Sequence, residues 1–215
     1  MSRSNNQTLS HDFNLRCCTL EDEDAAVAVC LHTGDSGNDA SSFFDDPKLL
    51  GYRYVSPYIH LSPDLSFVLE DSEKHVCGYV LAALDSDLFY KRYVDEWLSK
   101  MKQLYPIMPT DEEKEKGKRD WQVIDGFHRD TVESFKRFED YPSHLHIDLL
   151  PKAQGKGYGT KMICHIENAL KQLGSKGVHL EMASDNTRAF HFYTKLGFFV
   201  LANDQDTLWL GKKLC

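Results

Sequence analysis

From Leu149 to Thr160 the chain reads Leu-Leu-Pro-Lys-Ala-Gln-Gly-Lys-Gly-Tyr-Gly-Thr, with alternating glycines between an apolar run and a helix-like segment. Glycine has no Cβ, so successive backbone N–H groups can converge on one anion. A helix opening directly behind them adds unpaired donors and the positive end of its dipole. A pyrophosphate suits such a turn. The spacing excludes two common nucleotide loops. Neither Gly155 nor Gly157 is followed at the required distance by the Gly-Lys of a P-loop, and G-x-G-x-G is not the dinucleotide fingerprint G-x-G-x-x-G. A plain tight strand-to-helix connection is the competing reading of the same glycines.

Just upstream lies His144-Leu-His-Ile-Asp148. On a strand, alternation puts His144, His146 and Asp148 on one face and Leu145, Ile147 and Leu149 on the other. Two imidazoles and a carboxylate form a common metal set. Ligands two apart on a flat strand need further partners, however, and no Cys/His motif nearby supplies them, so no metal is expected. Hydrogen-bonded structure under a covering helix is the bland alternative.

The elements that must position these residues follow from periodicity and punctuation. Residues 1–12 read as a loose tail, and 13–215 as one domain. Phe13 to Thr19 reads as a strand, followed by a helix from Leu20 to about Leu31 whose acidic start suits the dipole. A helical segment spans Asp46 to Leu61, and a strand pair covers Ser66 to Glu70 and Val76 to Leu84. Residues 85–143 form a helical insertion too short for much core of its own. Within it, Leu88 to Leu104 carries Phe89, Tyr93 and Trp97 four apart, and Val132 to Phe138 reads as a further helix. The acidic run with Glu112, Glu113 and Glu115 could draw a cation, although such runs are usually solvated faces. Beyond Pro142 come strand, glycine loop, helix from Thr160 to Leu173, strand from Val178 to Ala183, helix from Thr187 to Leu196, and strands Phe198 to Leu201 and Thr207 to Leu210.

At 215 residues with 41% hydrophobic residues, the chain can bury a sizeable core. A formal charge of −8 argues against general nucleic-acid binding and would favour cationic acceptors. No stretch resembles a signal peptide or a membrane span, so a cytoplasmic or nuclear protein is expected. The six cysteines lack C-x-x-C spacing and read as buried free thiols; Cys17 and Cys18, adjacent on a strand, face opposite ways.

Gln154-Gly-Lys-Gly-Tyr-Gly159 resembles the Q/R-x-x-G-x-G/A signature of the GNAT N-acetyltransferases. Leu180 and Met182, Asn186, Ala189, Phe192-Tyr193 and Leu196-Gly-Phe198 resemble that superfamily's second block, in matching order and spacing. Over about residues 14–212 the chain also resembles the acetyltransferase-like domain of O-GlcNAc hydrolases, in its stand-alone form. The shared segments include Gly51-Tyr-Arg-Tyr-Val55, Leu61-Ser-Pro-Asp64, Phe67-Val-Leu-Glu-Asp71, Gly78-Tyr-Val-Leu-Ala82 and Phe192-Tyr-Thr-Lys-Leu-Gly197. The animal members of that group have a degraded glycine loop, whereas here it is intact.

The resemblance implies an α/β GNAT fold: a mixed sheet of six to seven strands with flanking helices, the insertion falling between the third and fourth strands. It implies acetyl-CoA as co-substrate and a primary amine as acceptor; a monomer or homodimer is expected. Leu149 and Leu150 would offer backbone groups to the pantetheine arm. Gln154, Gly155, Lys156, Gly157, Tyr158, Gly159 and Thr160 would cradle the pyrophosphate, with Asn186 and Tyr193 near the thioester. Tyr193 would donate the proton to the departing thiolate, or else pack on the cofactor. The base would be Asp148 or His146, with Glu181 behind them, or ordered water, and the acceptor side could instead be the face of Ser143, Leu145 and Ile147. A non-catalytic acetyl-CoA-binding or interaction domain is the alternative.

Overall fold

The computed structural model describes residues 13–108, 110–112 and 118–214. The expected tail, and Glu113 and Glu115 of the acidic run, lie outside them. Seven strands form one sheet in the order β1-β2-β3-β4-β5-β7-β6. They are β1 (Asn14–Cys17), β2 (Ser66–Glu70), β3 (Val76–Ala83), β4 (Ser143–Leu149), β5 (Gly177–Ala183), β6 (Phe199–Asp204) and β7 (Thr207–Lys213). All neighbours run antiparallel except β4 and β5.

That exception shapes the molecule. β3 and β4 hold six registered pairs and β5 and β7 hold seven, but β4 and β5 share only Ser143↔Val178 and His144↔His179. Past His144 and His179 the two strands part, each keeping its outer antiparallel neighbour. The gap lies at the carboxyl ends of two parallel strands, where open α/β sheets place their ligands.

Helices cover both faces. On one face lie α1 (Glu23–Thr33), α2 (Leu49–Tyr54) and α3 (Ser56–Leu61), with the insertion helices α4 (Ser86–Arg92), α5 (Ser99–Leu104) and α6 (Asp120–Arg129). A π-helical segment, Tyr93–Leu98, joins α4 to α5. Together they build a core with Tyr79, Leu81 and Ala83 of β3. On the other face, α7 (Tyr158–Gln172) and α8 (Thr187–Lys195) pack on Val80, Leu145 and Leu180. Each of these two helices ends at a positive-φ glycine, Gly174 and Gly197.

Most expected elements stand at these positions within a few residues. One differs in kind. The segment read as a helix from Val132 to Phe138 holds only a 3₁₀ turn, Val132–Ser134, and a helix stands instead at α6, an amphipathic stretch upstream of it. The thiols also differ from expectation. Cys18, Cys30 and Cys77 are buried, but Cys17 and Cys164 are exposed, and all five are unpaired; Cys215 lies outside the described residues. Among the described residues no helix is long and apolar enough to cross a membrane.

Candidate active site

The parted strands open into a cleft of about 1380 Å³. At one end stands the glycine turn. Gly155 and Gly157 have φ of 70° and 82°, a region that side chains other than glycine rarely adopt. Gly157 is the N-cap of α7, so the turn leads straight into that helix's unpaired N–H groups. At Gly159 the need is space: an added Cβ would lie 3.1 Å from the Phe192 ring. Gln154 is held from both sides, donating from Nε2 to the Leu149 carbonyl at 2.7 Å and accepting from Arg188 Nη1 at 3.1 Å.

Along the β4 wall sits a polar network. The Tyr79 hydroxyl donates to Asp148 Oδ2 at 2.6 Å, its partner directly across the β3–β4 register. His146 Nε2 lies 3.2 Å from the same carboxylate oxygen and 3.0 Å from the Tyr79 oxygen. With Tyr79 donating to Asp148, both contacts are satisfied when Nε2 carries the hydrogen, leaving the Nδ1 lone pair to take a proton. The imidazole is sandwiched between Tyr54 (ring centroids 5.9 Å, 10°) and Tyr79 (5.5 Å, 15°). Its side chain is 30% exposed, and it lines the cleft with Asp148.

Cys30 Sγ lies within 4.8 Å of ligand atoms of His146 and Asp148. Burial pushes that thiol well above its ordinary range. The Tyr79 hydroxyl already joins the other two groups. His144 takes no part. It is buried, its Nδ1 is 2.7 Å from Ser86 Oγ, and it does not line the cleft.

On the opposite wall, Glu181 of β5 stands two residues past the last registered pair, as His146 does on β4. Tyr193 of α8 lines the cleft between the strands and is 9% exposed. Burial, with the Asp148 charge added, raises its phenol, so it keeps its proton. Asn186 caps α8, accepting from the Ala189 N–H at 3.0 Å.

The model of the acetyltransferase (GNAT) family matches residues 35–198. The chain belongs to that family. It is 29% identical to the rat (Rattus norvegicus) protein O-GlcNAcase over 94% of its own length but only 22% of the relative's, so it spans about a fifth of that protein. The crystal structure of SsHAT is similar at 33% identity with a TM-score of 0.85, covering 95% of this chain and 99% of that one. YncA of Salmonella typhimurium, solved with acetyl-CoA, shares the fold at 14% identity and a TM-score of 0.54, with 94% of each chain covered.

Within this GNAT domain, Leu149, Gln154, Gly155, Gly157, Gly159, Thr160 and Asn186 line the cleft beside His146, Asp148, Glu181 and Tyr193. Three further expected binding residues make contacts of their own. The Leu150 N–H is bonded to the Cys77 carbonyl and its side chain packs in the α1-side core. Lys156 reaches the Lys152 carbonyl and lies over the Phe13 ring. The Tyr158 hydroxyl accepts from the Phe13 N–H at 3.2 Å.

His146 and Asp148 lie on the side of the sheet that carries α1 and α2. Sequence reasoning missed Tyr79, Tyr54 and Arg188. The first two are joined to His146 only by tertiary pairing. Arg188 had a local signal, a cation in the first turn of a helix that packs beside the glycine turn. Its guanidinium lies against Gly37, where a Cβ would come within 2.2 Å of Nη2.

Proposed function

We propose that this protein transfers an acetyl group from acetyl-CoA to a primary amine by direct attack. The observation that carries the reading is the parting of β4 and β5 after two registered pairs, with a positive-φ glycine turn at the mouth of α7 and the His146–Asp148 pair and Tyr193 inside the same cleft. The residues present fit the co-substrate: the turn offers converging N–H groups and a helix N-terminus for a pyrophosphate, with Arg188 as a cation beside it. When bound, acetyl-CoA would supply the activated thioester.

The chain's own groups divide the proton work. His146, oriented by Asp148 and Tyr79 and flanked by two rings, accepts a proton at Nδ1 from the attacking amine. Tyr193, kept protonated by burial, donates at the leaving sulfur. Glu181 faces His146 across the opening and holds a cationic amine there before it loses its proton. Thiol release from acetyl-CoA across an amine panel tests the reading. Tight acetyl-CoA binding with no release on any amine would leave a binding domain and refute transfer.

A further inference from the structure

A second cavity, of about 290 Å³, shares Arg53, Tyr54 and Glu181 with the large cleft. Most of its remaining wall is aromatic: Tyr58, Phe89, Tyr90, Tyr93, Phe135 and Trp209. These rings are fixed by one another. Tyr90 stacks on Phe135 at 4.3 Å and on His144 at 4.8 Å, both within 5° of parallel. Tyr93 meets Phe135 edge-on at 5.3 Å, and Tyr58 stacks on Phe89 at 4.6 Å. A pre-set aromatic wall favours a flat apolar guest, because little side-chain freedom is lost on binding.

The charges select its sign. Arg53 is ion-paired with Asp130 and donates to the Tyr93 hydroxyl, while Lys136 lies over the Trp209 ring at 5.3 Å. Glu181 and Asp204 also line the cavity, and among the described residues no ion pair claims either. Glu181 stands directly opposite Trp209 in the β5–β7 register, which puts a carboxylate and an indole side by side on one face. Size limits the rest. A cavity of about 150 Å³ can hold benzene, so this one has room for a single ring with a short stem.

We propose that this cavity is the acceptor subsite and takes a primary amine carried by a short stem on an aromatic ring. The ammonium rests on Glu181, within the same opening as His146, and the ring lies against Trp209 and the edge of Tyr90. The assignment rests on the acetyl-transfer reading and names its substrate class. Unlike a lysine side chain, such an amine fills the ring-lined wall.

Calorimetric titration of phenethylamine, butylamine and a lysine-containing peptide, with and without saturating CoA, tests this without needing turnover. Phenethylamine is expected to bind at least tenfold tighter than the other two. Trp209→Ala should reduce that preference below threefold while leaving butylamine affinity within twofold. Should that variant fail to fold, the wild-type ranking still decides. Equal affinities, no binding, or a preference for the peptide overturns the assignment. Selective phenethylamine binding without CoA release from acetyl-CoA would sustain the subsite and refute the transferase reading instead.

Discussion

At the scale of single residues, the site depends on conformations and contacts that one substitution can remove. Gly157 at φ 82° caps α7, and nothing lies within 4 Å of where a Cβ would stand, so Gly157→Asp meets backbone strain and places a carboxylate where an anion is to sit. Acetyl-CoA affinity is expected to collapse in a folded protein, and unchanged affinity by calorimetry would remove the pyrophosphate assignment. Tyr193→Phe deletes one hydroxyl from a buried ring. Turnover should fall by roughly 10²–10⁴ with cofactor affinity nearly intact, and wild-type turnover would return Tyr193 to packing. The glycine turn was legible in the sequence because its geometry is local, set by residues two apart. Tyr79 was not legible: its bond to Asp148 spans 69 positions and exists only because β3 and β4 pair. The same holds for Tyr54 on His146.

At the scale of elements, the insertion both enlarges a core and walls a cavity. Phe89, Tyr93, Trp97, Leu98, Met101 and Phe127 all enter the core that α1 and α2 build on the sheet. Its Tyr90 and Phe135 line the smaller cavity, and Gln122 and Val123 line the cleft. Aromatic spacing in Leu88 to Leu104 made its first helix readable. The expectation of a helix at Val132 to Phe138 failed because those aromatics serve tertiary stacking, Phe135 on Tyr90 and Phe138 on His179, and no amphipathic period requires a helix there. Because the insertion is bound into the core, excising it would unfold the protein, and a point change is the sharper probe. Phe127 is fully buried on α6, so Phe127→Ala should cost about 3–5 kcal/mol in urea unfolding. A cost under about 1 kcal/mol would mean that α6 is an appendage rather than part of the core.

For the whole molecule, the seam where β4 and β5 still touch carries the pH dependence of the fold. His144 and His179 are directly paired across it and both are buried, with ring centroids 5.6 Å apart. The Ser86 hydroxyl donates to the Pro142 carbonyl, so its oxygen accepts from His144 Nδ1–H, and the buried Nε2 is left with no partner. Burial holds His144 well below its ordinary value, with His179 and His146 adding to the effect, and burial lowers His179 also. The folded state therefore keeps both rings neutral where the unfolded chain binds protons. Their contribution is complete above the unfolded value near 6.5 and is lost as pH falls below it, at up to about 1.4 kcal/mol per pH unit for each ring. Asp22, held near 2 by Arg16, and Glu70, held near 2 by Lys74 and Arg16, act in the same direction but only below the ordinary carboxylate range. The interval from pH 7 to 5 thus isolates the histidines. Tm is expected to fall across it, and His144→Phe, which keeps the stacking on Tyr90 and removes the titrating nitrogens, should flatten the slope by about half. A wild-type Tm that is level from pH 7 to 5 would mean that the seam opens to water and its rings titrate as exposed ones do.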